Sequence, residues 1–310
     1  MVGLEEVVQA QARIAPHLTP TPIEATYGLG EGVWLKLENA NKTHSFKIRG
    51  ALNALLSLDE AARERGVIAV SSGNHAGALA YAARLSGVSA QILMPKTTPQ
   101  KKIANVRHCG AEAILFGDNY DEAESEALRR AGNPRTWISP YNNPAVIAGA
   151  GTIGLEILDQ LPDVARVVVP VSGGGLMSGV ATALKLCKPE IEVIGVNARS
   201  APAMYNSFHS RHLPQVWDTL ADALSGDIEA GSITLPVCLR HMDDIALVDE
   251  ERVAEAMRYM LTAGWVVEGG GAVGVAALLD DALPPVDGET VVVISGGNVD
   301  LAVLRRVLQT

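Results

Sequence analysis

The stretch Val67-Ile-Ala-Val-Ser-Ser-Gly-Asn-His-Ala-Gly-Ala-Leu-Ala-Tyr-Ala-Ala-Arg-Leu85 decides the fold class of this chain. Its first four residues are apolar without alternation, which predicts a buried strand. A short polar loop at 71–75 then leads into a helical pattern at 76–85 that stops near Gly87. A strand that is apolar on both faces and is followed directly by a helix is typical of a parallel sheet covered on both sides.

The same alternation of strand and helix recurs on both sides of this stretch. Further strands are predicted at 33–37, 91–94, 113–116, 166–171, 192–196 and 290–294. Further helices are predicted at 99–108, 121–130 and 176–187, and from Leu301 onward. These units form two groups that meet at the turn-rich segment 139–144, and they predict an α/β fold with two mostly parallel sheets flanked by helices. The strand at 33–37 could belong to either group.

The composition restricts the classes of protein to which this chain could belong. Its 310 residues are enough for two domains, and 48% hydrophobic with 19% charged residues excludes intrinsic disorder. The 25 Lys and Arg against 35 Asp and Glu give a net charge of −10, and no basic run is present. A nucleic-acid partner is therefore not expected.

No segment predicts a membrane or secretory location. No run approaches the roughly 20 apolar residues that a spanning helix needs. Residues 1–12 carry Glu5 and Glu6 without a basic residue, unlike a secretory signal. The cysteines, Cys109, Cys187 and Cys238, lie far apart and form neither a disulfide framework nor a metal pair. We therefore expect a cytoplasmic protein without a membrane partner.

A glycine-rich loop, Ser172-Gly-Gly-Gly-Leu176, joins a predicted strand to a predicted helix. Backbone N–H groups at such a helix start can converge on an anion, and the helix dipole favours the negative charge. A tight turn is the alternative, but one or two glycines would serve it. Because the Walker pattern is absent, the loop predicts a phosphate or carboxylate site and not a nucleotide-hydrolysing one.

Two more polar loops follow predicted strands, Ser71-Ser-Gly-Asn-His75 and Ser295-Gly-Gly-Asn298. The first offers hydroxyl, amide and N–H groups to a ligand carboxylate, although a helix cap followed by a turn has the same composition. In parallel sheets ligands bind beyond the carboxyl ends of the strands. Three such loops therefore indicate one shared crevice.

Lys47, in Ser45-Phe-Lys-Ile-Arg-Gly50, is a candidate nucleophile. Its neighbours Phe46 and Ile48 could desolvate the amine and so lower its pKa. A neutral lysine can form a Schiff base with an aldehyde cofactor. From the spacing alone, however, a solvated surface lysine at the start of a helix is the favoured interpretation.

Two stretches, 149–154 and 269–274, match the dinucleotide-binding pattern G-x-G-x-x-G. The first follows a poor strand that begins at Pro144, and the second follows a better predicted strand at 265–268. Neither begins a clear βαβ unit with an acidic residue at the next strand end, so a dinucleotide site is disfavoured. The sequence has no H-E-x-x-H motif, no Cys/His cluster and no G-x-S-x-G elbow, so neither a metal site nor a serine hydrolase is predicted.

Together these motifs resemble the serine/threonine dehydratase family of pyridoxal-phosphate (PLP) enzymes, a group of fold type II, tryptophan synthase β-like, that includes serine racemase. The resemblance covers nearly the whole chain. It rests on motifs in the family's order at 35–39, 45–50, 71–75, 144–156, 172–176, 268–272 and 295–298. The stretch 144–156 matches a helix of the family, which accounts for the first dinucleotide-like pattern.

The resemblance implies two α/β domains, each with a mostly parallel sheet flanked by helices, and PLP in the cleft between them. The large PLP-binding domain would comprise residues 1–65 and 143–310, and the small domain residues 66–142. A homodimer or homotetramer is expected.

The resemblance also implies the residues of the site. Lys47 would hold PLP as an imine and act as the base at the substrate Cα, and Ser72 would be a second catalytic residue. Asn74 would bind the ring hydroxyl, and Ser295 would face the pyridine nitrogen. The implied cofactor-binding residues are Phe46, Lys47, Asn74, Ser172, Gly173, Gly174, Gly175, Leu176, Glu268 and Ser295. The implied substrate-binding residues are Ser71, Ser72, Gly73, Asn74 and His75.

The implied activity is that of an ammonia-lyase (dehydratase), which converts a β-hydroxy amino acid such as L-threonine or L-serine to a 2-oxo acid and ammonia. A neutral hydroxyl at Ser295 leaves the PLP ring a weaker electron sink than a carboxylate would, which suits elimination. The alternatives are a racemase, a dehydratase of hydroxyaspartate or of the hydroxyectoine pathway, and a non-catalytic amino-acid-binding protein. Lys47 argues against the last, because a binding protein needs no imine.

The chain departs from the family at several places. Asn197 stands where cation-binding members carry a Glu, and an amide is a weaker ligand for a hard cation, so no metal is predicted. Residues 139–142 and Gly77 differ from the common residues on the substrate side, so the substrate is less constrained than the reaction class. We expect no regulatory domain like that of biosynthetic threonine dehydratases, and therefore no isoleucine feedback.

Overall fold

The computed structural model describes residues 2–131 and 134–309, in which strands and helices alternate along the chain. The strands are β1 (Ile23–Ala25), β2 (Val33–Leu37), β3 (Val67–Val70), β4 (Ala90–Met94), β5 (Glu112–Leu115), β6 (Thr136–Trp137), β7 (Val164–Pro170), β8 (Glu192–Ala198), β9 (Asp244–Val248) and β10 (Glu289–Ile294). The α-helices are α1 (Leu4–Ile14), α2 (Lys47–Leu56), α3 (Glu60–Arg65), α4 (Asn74–Ser86), α5 (Gln100–His108), α6 (Tyr120–Arg130), α7 (Pro144–Gln160), α8 (Gly175–Cys187), α9 (Ala203–His209), α10 (Thr234–His241), α11 (Glu250–Thr262), α12 (Gly269–Leu279) and α13 (Leu301–Gln309).

The strands form two sheets. The larger sheet has the strand order β1-β2-β10-β7-β8-β9, in which β1 runs antiparallel to β2 and the other neighbours are parallel. The smaller sheet, β5-β4-β3-β6, is parallel throughout. The predicted α/β class with two mostly parallel sheets is confirmed. Because β2 pairs with β10, the strand at 33–37 belongs to the larger sheet.

The strands lack an alternating pattern because helices cover both faces of each sheet. Along β7, Val168 packs into the core that α12 covers, whereas its neighbours Val167 and Val169 pack into the core that α8 covers. In the smaller sheet all four residues of β3 are buried. Both faces are therefore apolar, and the short continuous apolar runs follow from that.

The first dinucleotide-like stretch, 149–154, lies inside α7. Its glycines serve helix packing. A Cβ atom on Gly149 would lie 2.6 Å from the carbonyl oxygen of Arg49 on α2, closer than real Cβ contacts. Glycine at this position lets α7 support α2, the helix that begins at Lys47.

The predicted strand at 265–268 is wrong. This segment joins α11 to α12 without pairing in either sheet. The physical reason is that β10, the strand that ends beside it, already pairs with β2 and β7. The segment is fixed instead by contacts outside any ladder: the Asn39 side chain donates to the Val266 carbonyl, and the Glu268 N–H donates to the Gly296 carbonyl.

The core beside the smaller sheet includes side chains from outside residues 66–142. Ile48, Leu52 and Leu55 of α2 pack with the residues of β3 and α4 in one cluster. The four strands of this sheet lie within the expected small domain. The domain boundaries at 66 and 142 stay a prediction, and α2 packs against both α4 and α7.

Within the described ranges, every helix is too short or too polar to cross a lipid bilayer.

Candidate active site

The loop before α2 is joined to the loop after β10. The Phe46 N–H donates to the Ser295 carbonyl at 3.0 Å, and Ser45 and Gly296 form an antiparallel bridge. His44, the residue before Ser45, has φ +54, and its carbonyl accepts a hydrogen bond from the Gly297 N–H. A non-glycine residue in the left-handed region needs such support. The start of α2 is therefore fixed at the carboxyl end of the larger sheet.

Lys47 is the first residue of α2 and is partly buried. Its Nζ donates to the Pro140 carbonyl at 2.8 Å and lies 5.1 Å from the centroid of the Phe46 ring. Burial lowers the pKa of Lys47 to about 8, although the charge of Glu268 acts in the opposite direction. Lys47 is thus not the solvated surface lysine that its spacing alone favours, and its neutral form is accessible near physiological pH.

The loop at 71–75 turns into α4, which starts at Asn74 and not at Ala76 as predicted. The Ser71 hydroxyl accepts a hydrogen bond from the Gly73 N–H at 3.1 Å. Ser72, between them, is partly exposed. The first N–H groups of a helix have no acceptor within the helix, so this loop offers donors to an anion.

His75 is buried in the first turn of α4. Burial, together with the charge of Lys47, lowers the pKa of His75 to about 3, so the ring is neutral. Its Nε2 lies 3.3 Å from the Ile138 carbonyl and must carry the proton that this oxygen accepts. The Nδ1 atom is then an acceptor, and it has no hydrogen-bond partner among the described residues.

Asn74, the first residue of α4, contacts Glu268, the residue before α12. Asn74 Nδ2 donates to Glu268 Oε1 at 2.6 Å, and Asn298 Nδ2 donates to Asn74 Oδ1 at 2.9 Å. Glu268 directly precedes α12 and is buried. Burial raises the pKa of Glu268 to about 7, and the hydrogen bond from Asn74 limits this rise.

The glycine-rich loop ends β7 and starts α8. Gly174 has φ +87, a left-handed conformation that L side chains rarely adopt. The Thr234 hydroxyl donates to the Gly173 carbonyl at 2.5 Å. A Cβ atom on Gly173 would lie 2.7 Å from the Tyr141 ring. The loop is held in a conformation that leaves its backbone N–H groups at the positive end of α8.

Residues 139–142 link Lys47 to the glycine-rich loop. Pro140 accepts the hydrogen bond from Lys47, and the next residue, Tyr141, packs on Gly173. The Tyr141 hydroxyl also accepts a hydrogen bond from the Glu229 N–H at 3.1 Å. Sequence reasoning treated this segment as a crossing point and missed the contact of Tyr141 with the loop. The turn-rich composition was the signal, but it does not show where the ring packs.

The structure thus connects most of the predicted site residues. Through the contacts above, Phe46 and Lys47 are linked with Asn74, Glu268 and Ser295. The glycine-rich loop joins them through Tyr141. Ser72 and Ser172 lie partly exposed in their loops, and their predicted roles stay predictions.

A buried ion network lies behind the site and was missed by sequence reasoning. Arg49 Nε lies 2.8 Å from Glu38, and its Nη1 lies 2.5 Å from Glu156, which also pairs with Lys36 at 2.6 Å. All four side chains are buried, and their two positive and two negative charges balance. Although burial raises the pKa of Glu38, the Arg49 guanidinium holds it below its ordinary value. Arg49 is two residues from Lys47, so the network anchors the first turn of α2.

Asn197, at the end of β8, uses its amide within the protein. Its Nδ2 donates to the Val171 carbonyl at 2.7 Å, and its Oδ1 accepts from the Tyr205 N–H at 2.9 Å. A carboxylate could not donate to Val171. In residues 2–131 and 134–309, no group of three or more His, Cys, Asp and Glu is placed to hold a metal. The expectation that this chain binds no metal stays a prediction.

Comparison with known families agrees with this arrangement. The profile of the family described as "Pyridoxal-phosphate dependent enzyme" matches residues 14–297. The chain belongs to this family. Among curated proteins, an L-threonine ammonia-lyase of Thermotoga maritima is 43% identical over 99% of this chain and 78% of its own length.

Solved structures of the PLP family have the same fold. Maize serine racemase superposes with a TM-score of 0.91 at 33% identity, covering 99% of this chain and 97% of its own. The processed form of threonine deaminase isoform 2 from Solanum lycopersicum gives 0.89 at 34% identity, covering 98% and 93%. The resemblance inferred from the motifs is confirmed at the level of family and fold.

The residues of the site fit PLP on two observations. The glycine-rich loop is a cradle of backbone without side chains at the start of α8, and it requires glycine because Cβ atoms at Gly173 and Gly174 would meet packed atoms within 3.0 Å. Such a cradle suits a phosphate. Lys47 supplies a partly buried amine with a lowered pKa, which suits an aldehyde.

Proposed function

We propose that this protein is a PLP-dependent ammonia-lyase that converts a β-hydroxy amino acid, L-threonine or L-serine, to a 2-oxo acid and ammonia. The observation that carries the proposal is the partly buried Lys47, with its lowered pKa, linked through residues 140–141 to an anion cradle at the start of α8. The relative from Thermotoga maritima, an L-threonine ammonia-lyase by name, supports the same reaction.

The cofactor, when bound, supplies an electron sink that makes the proton on the substrate Cα acidic. In the proposal, Lys47 holds the cofactor through its amine and moves that proton. The N–H groups of residues 172–176 hold the phosphate at the positive end of α8. The Asn74 amide would bind the ring hydroxyl, the Ser295 hydroxyl would face the pyridine nitrogen, and Phe46 would pack near the ring.

The loop at 71–75 would bind the substrate carboxylate. It lies at the start of α4, where N–H groups and the helix dipole favour negative charge. The neutral His75 adds no charge to this loop. Ser72 is partly exposed at the same loop, and its hydroxyl is proposed to assist at the leaving β-hydroxyl.

A racemase is the second candidate, favoured by the high structural similarity to maize serine racemase. Both reactions start with removal of the Cα proton. Racemisation then needs that proton returned on the other face, whereas elimination needs the β-hydroxyl expelled. The Ser295 hydroxyl would draw electrons into the ring less strongly than a carboxylate, which suits elimination better than racemisation.

The test is a panel of L-threonine, L-serine, D-serine and 3-hydroxyaspartate, with ammonia, 2-oxo acid and the serine enantiomers measured for each. We expect ammonia and 2-oxo acid in equal amounts from L-threonine or L-serine, and none with Lys47→Ala. Inversion of serine without oxo acid would support the racemase instead. Bound amino acid without any turnover would leave only the binding-protein alternative and overturn the proposal.

A further inference from the structure

Asn298 contacts both members of the Asn74–Glu268 pair. Its Nδ2 donates to Asn74 Oδ1 and to the Thr43 carbonyl, each at 2.9 Å. Its backbone faces the Glu268 carboxylate and acts to lower the pKa of that group. A side chain at the end of the Ser295-Gly-Gly-Asn298 motif thus reaches the start of α4 in the other unit.

These contacts determine how the Asn74 amide is oriented. Both N–H groups of Asn298 Nδ2 point at oxygen atoms, so the atom of Asn74 that faces Asn298 must be the acceptor Oδ1. The Asn74 Nδ2 then faces Glu268 and donates one of its two hydrogens to Oε1 at 2.6 Å. The second hydrogen of this amide stays available to another acceptor.

Gly296 gives this arrangement its space. A Cβ atom at this position would lie 2.4 Å from Glu268 Oε1 and 3.2 Å from Asn74 Nδ2. A side chain at position 296 would therefore separate Glu268 from Asn74. The whole motif therefore supports one hydrogen-bonded chain, from Asn298 through Asn74 to Glu268.

We propose that Asn298 is a positioning residue that acts through Asn74, holding its amide so that the second N–H is offered to the ring oxygen of PLP. This inference rests on the proposed function, because it requires Asn74 to lie at the cofactor ring. In this proposal the motif after β10 has two roles. Ser295 would contact the cofactor ring, and Asn298 orients the Asn74 amide.

The test compares Asn298→Ala and Asn298→Asp with the wild-type holoenzyme. Asn298→Ala removes one of the two contacts that orient the Asn74 amide and leaves only the bond to Glu268. We expect the affinity for PLP to fall about fivefold, the equivalent of one ordinary hydrogen bond. Asn298→Asp keeps the size and the backbone N–H but presents an acceptor to Asn74 Oδ1. We expect it to turn the amide away and to weaken PLP binding at least as much.

A second readout separates positioning from a merely structural role. An N–H donor on the ring oxygen withdraws negative charge that would otherwise stabilise a nearby proton. In both variants the midpoint of the pH dependence of the bound cofactor's visible absorbance should therefore move to higher pH. The thermal unfolding temperature of the PLP-free protein should not change, since Asn298 is exposed. The control is Asn105→Ala, an exposed asparagine of α5, which should leave every readout unchanged.

Unchanged PLP affinity and an unchanged absorbance midpoint in both variants would overturn the inference. A loss of affinity together with a lower unfolding temperature of the PLP-free protein, and no shift of the midpoint, would also overturn it and assign Asn298 a structural role. If the wild-type chain itself retains no PLP, the proposed function fails instead, and this outcome is distinguishable because it does not depend on Asn298.

Discussion

The conformation of the glycine-rich loop can be tested with Gly174→Ala. Gly174 has φ +87, and an L residue in this region costs roughly 1–2 kcal/mol. The added Cβ would also lie 2.9–3.0 Å from Met204, Cys238 and Thr234. Such overpacking costs about 1–3 kcal/mol. We therefore expect the free energy of unfolding to fall by about 2–5 kcal/mol.

Gly110→Ala is the matched control. Gly110 has φ +84, but a Cβ atom there would have no heavy atom within 4 Å. It should lose only the roughly 1–2 kcal/mol of the backbone conformation. Urea unfolding of both variants without PLP gives their free energies of unfolding. The difference between the two losses is the cost of the Cβ contacts at Gly174.

The affinity for PLP provides the functional part of this test. Relief of the crowding at Gly174 moves the backbone N–H groups of the cradle, so we expect PLP to bind at least about tenfold more weakly, a change of about 1.4 kcal/mol. Gly110→Ala should bind PLP like the wild type. Equal stability losses in the two variants, with PLP affinity retained in both, would refute the assignment of this loop as a shaped phosphate cradle.

Three further predictions concern charge and metal. Burial lowers the pKa of Lys47 from 10.5 to about 8, so between these pH values the unfolded chain binds more protons than the folded one. The free energy of unfolding of the PLP-free protein should therefore rise with pH in this range. Lys47→Met should remove the part of this rise that Lys47 causes, as measured by urea unfolding. Glu38→Gln leaves the Arg49 guanidinium without one of its buried partners and should lower the free energy of unfolding by about 3–5 kcal/mol, measured by denaturation. Because the Asn197 amide is satisfied by Val171 and Tyr205, EDTA should leave ammonia release intact, and a large loss reversed by Mg²⁺ would contradict this.

The fold could be predicted because its cause acts locally. A strand between two helical layers is apolar on both faces. The apolar run at 67–70 therefore predicts a buried strand without knowledge of the strands that pair with it. The predicted strand at 265–268 failed for the opposite reason. Its composition suits a strand, but β10, the strand beside it, pairs with a neighbour on each side and offers it no free edge. Whether a strand has a free edge depends on the whole sheet and cannot be predicted from residues 265–268 alone.

The candidate site divides in the same way. The loops at 71–75, 172–176 and 295–298 could be located from the sequence, since glycine and small polar residues after a buried strand are a local pattern. The partners of these loops could not. Tyr141 packs on Gly173, and Asn298 reaches Asn74 over more than two hundred residues. Contacts of this kind require the two sheets to be placed relative to each other.

The lysine shows why the two kinds of information are needed together. Flanking residues suggested desolvation, yet a lysine at a helix start is ordinarily solvated, and the sequence could not choose between these. The contacts of α2 in the structure show that the lysine is partly buried. Arg49 of α2 pairs with Glu38 and Glu156, and Ser45, just before the helix, forms a bridge with Gly296. The Lys47 amine donates to the Pro140 carbonyl. Buried charges of this kind are costly to leave unpaired. Pairing them keeps α2 in this position, in which Lys47 is partly buried and its Nζ donates to the Pro140 carbonyl.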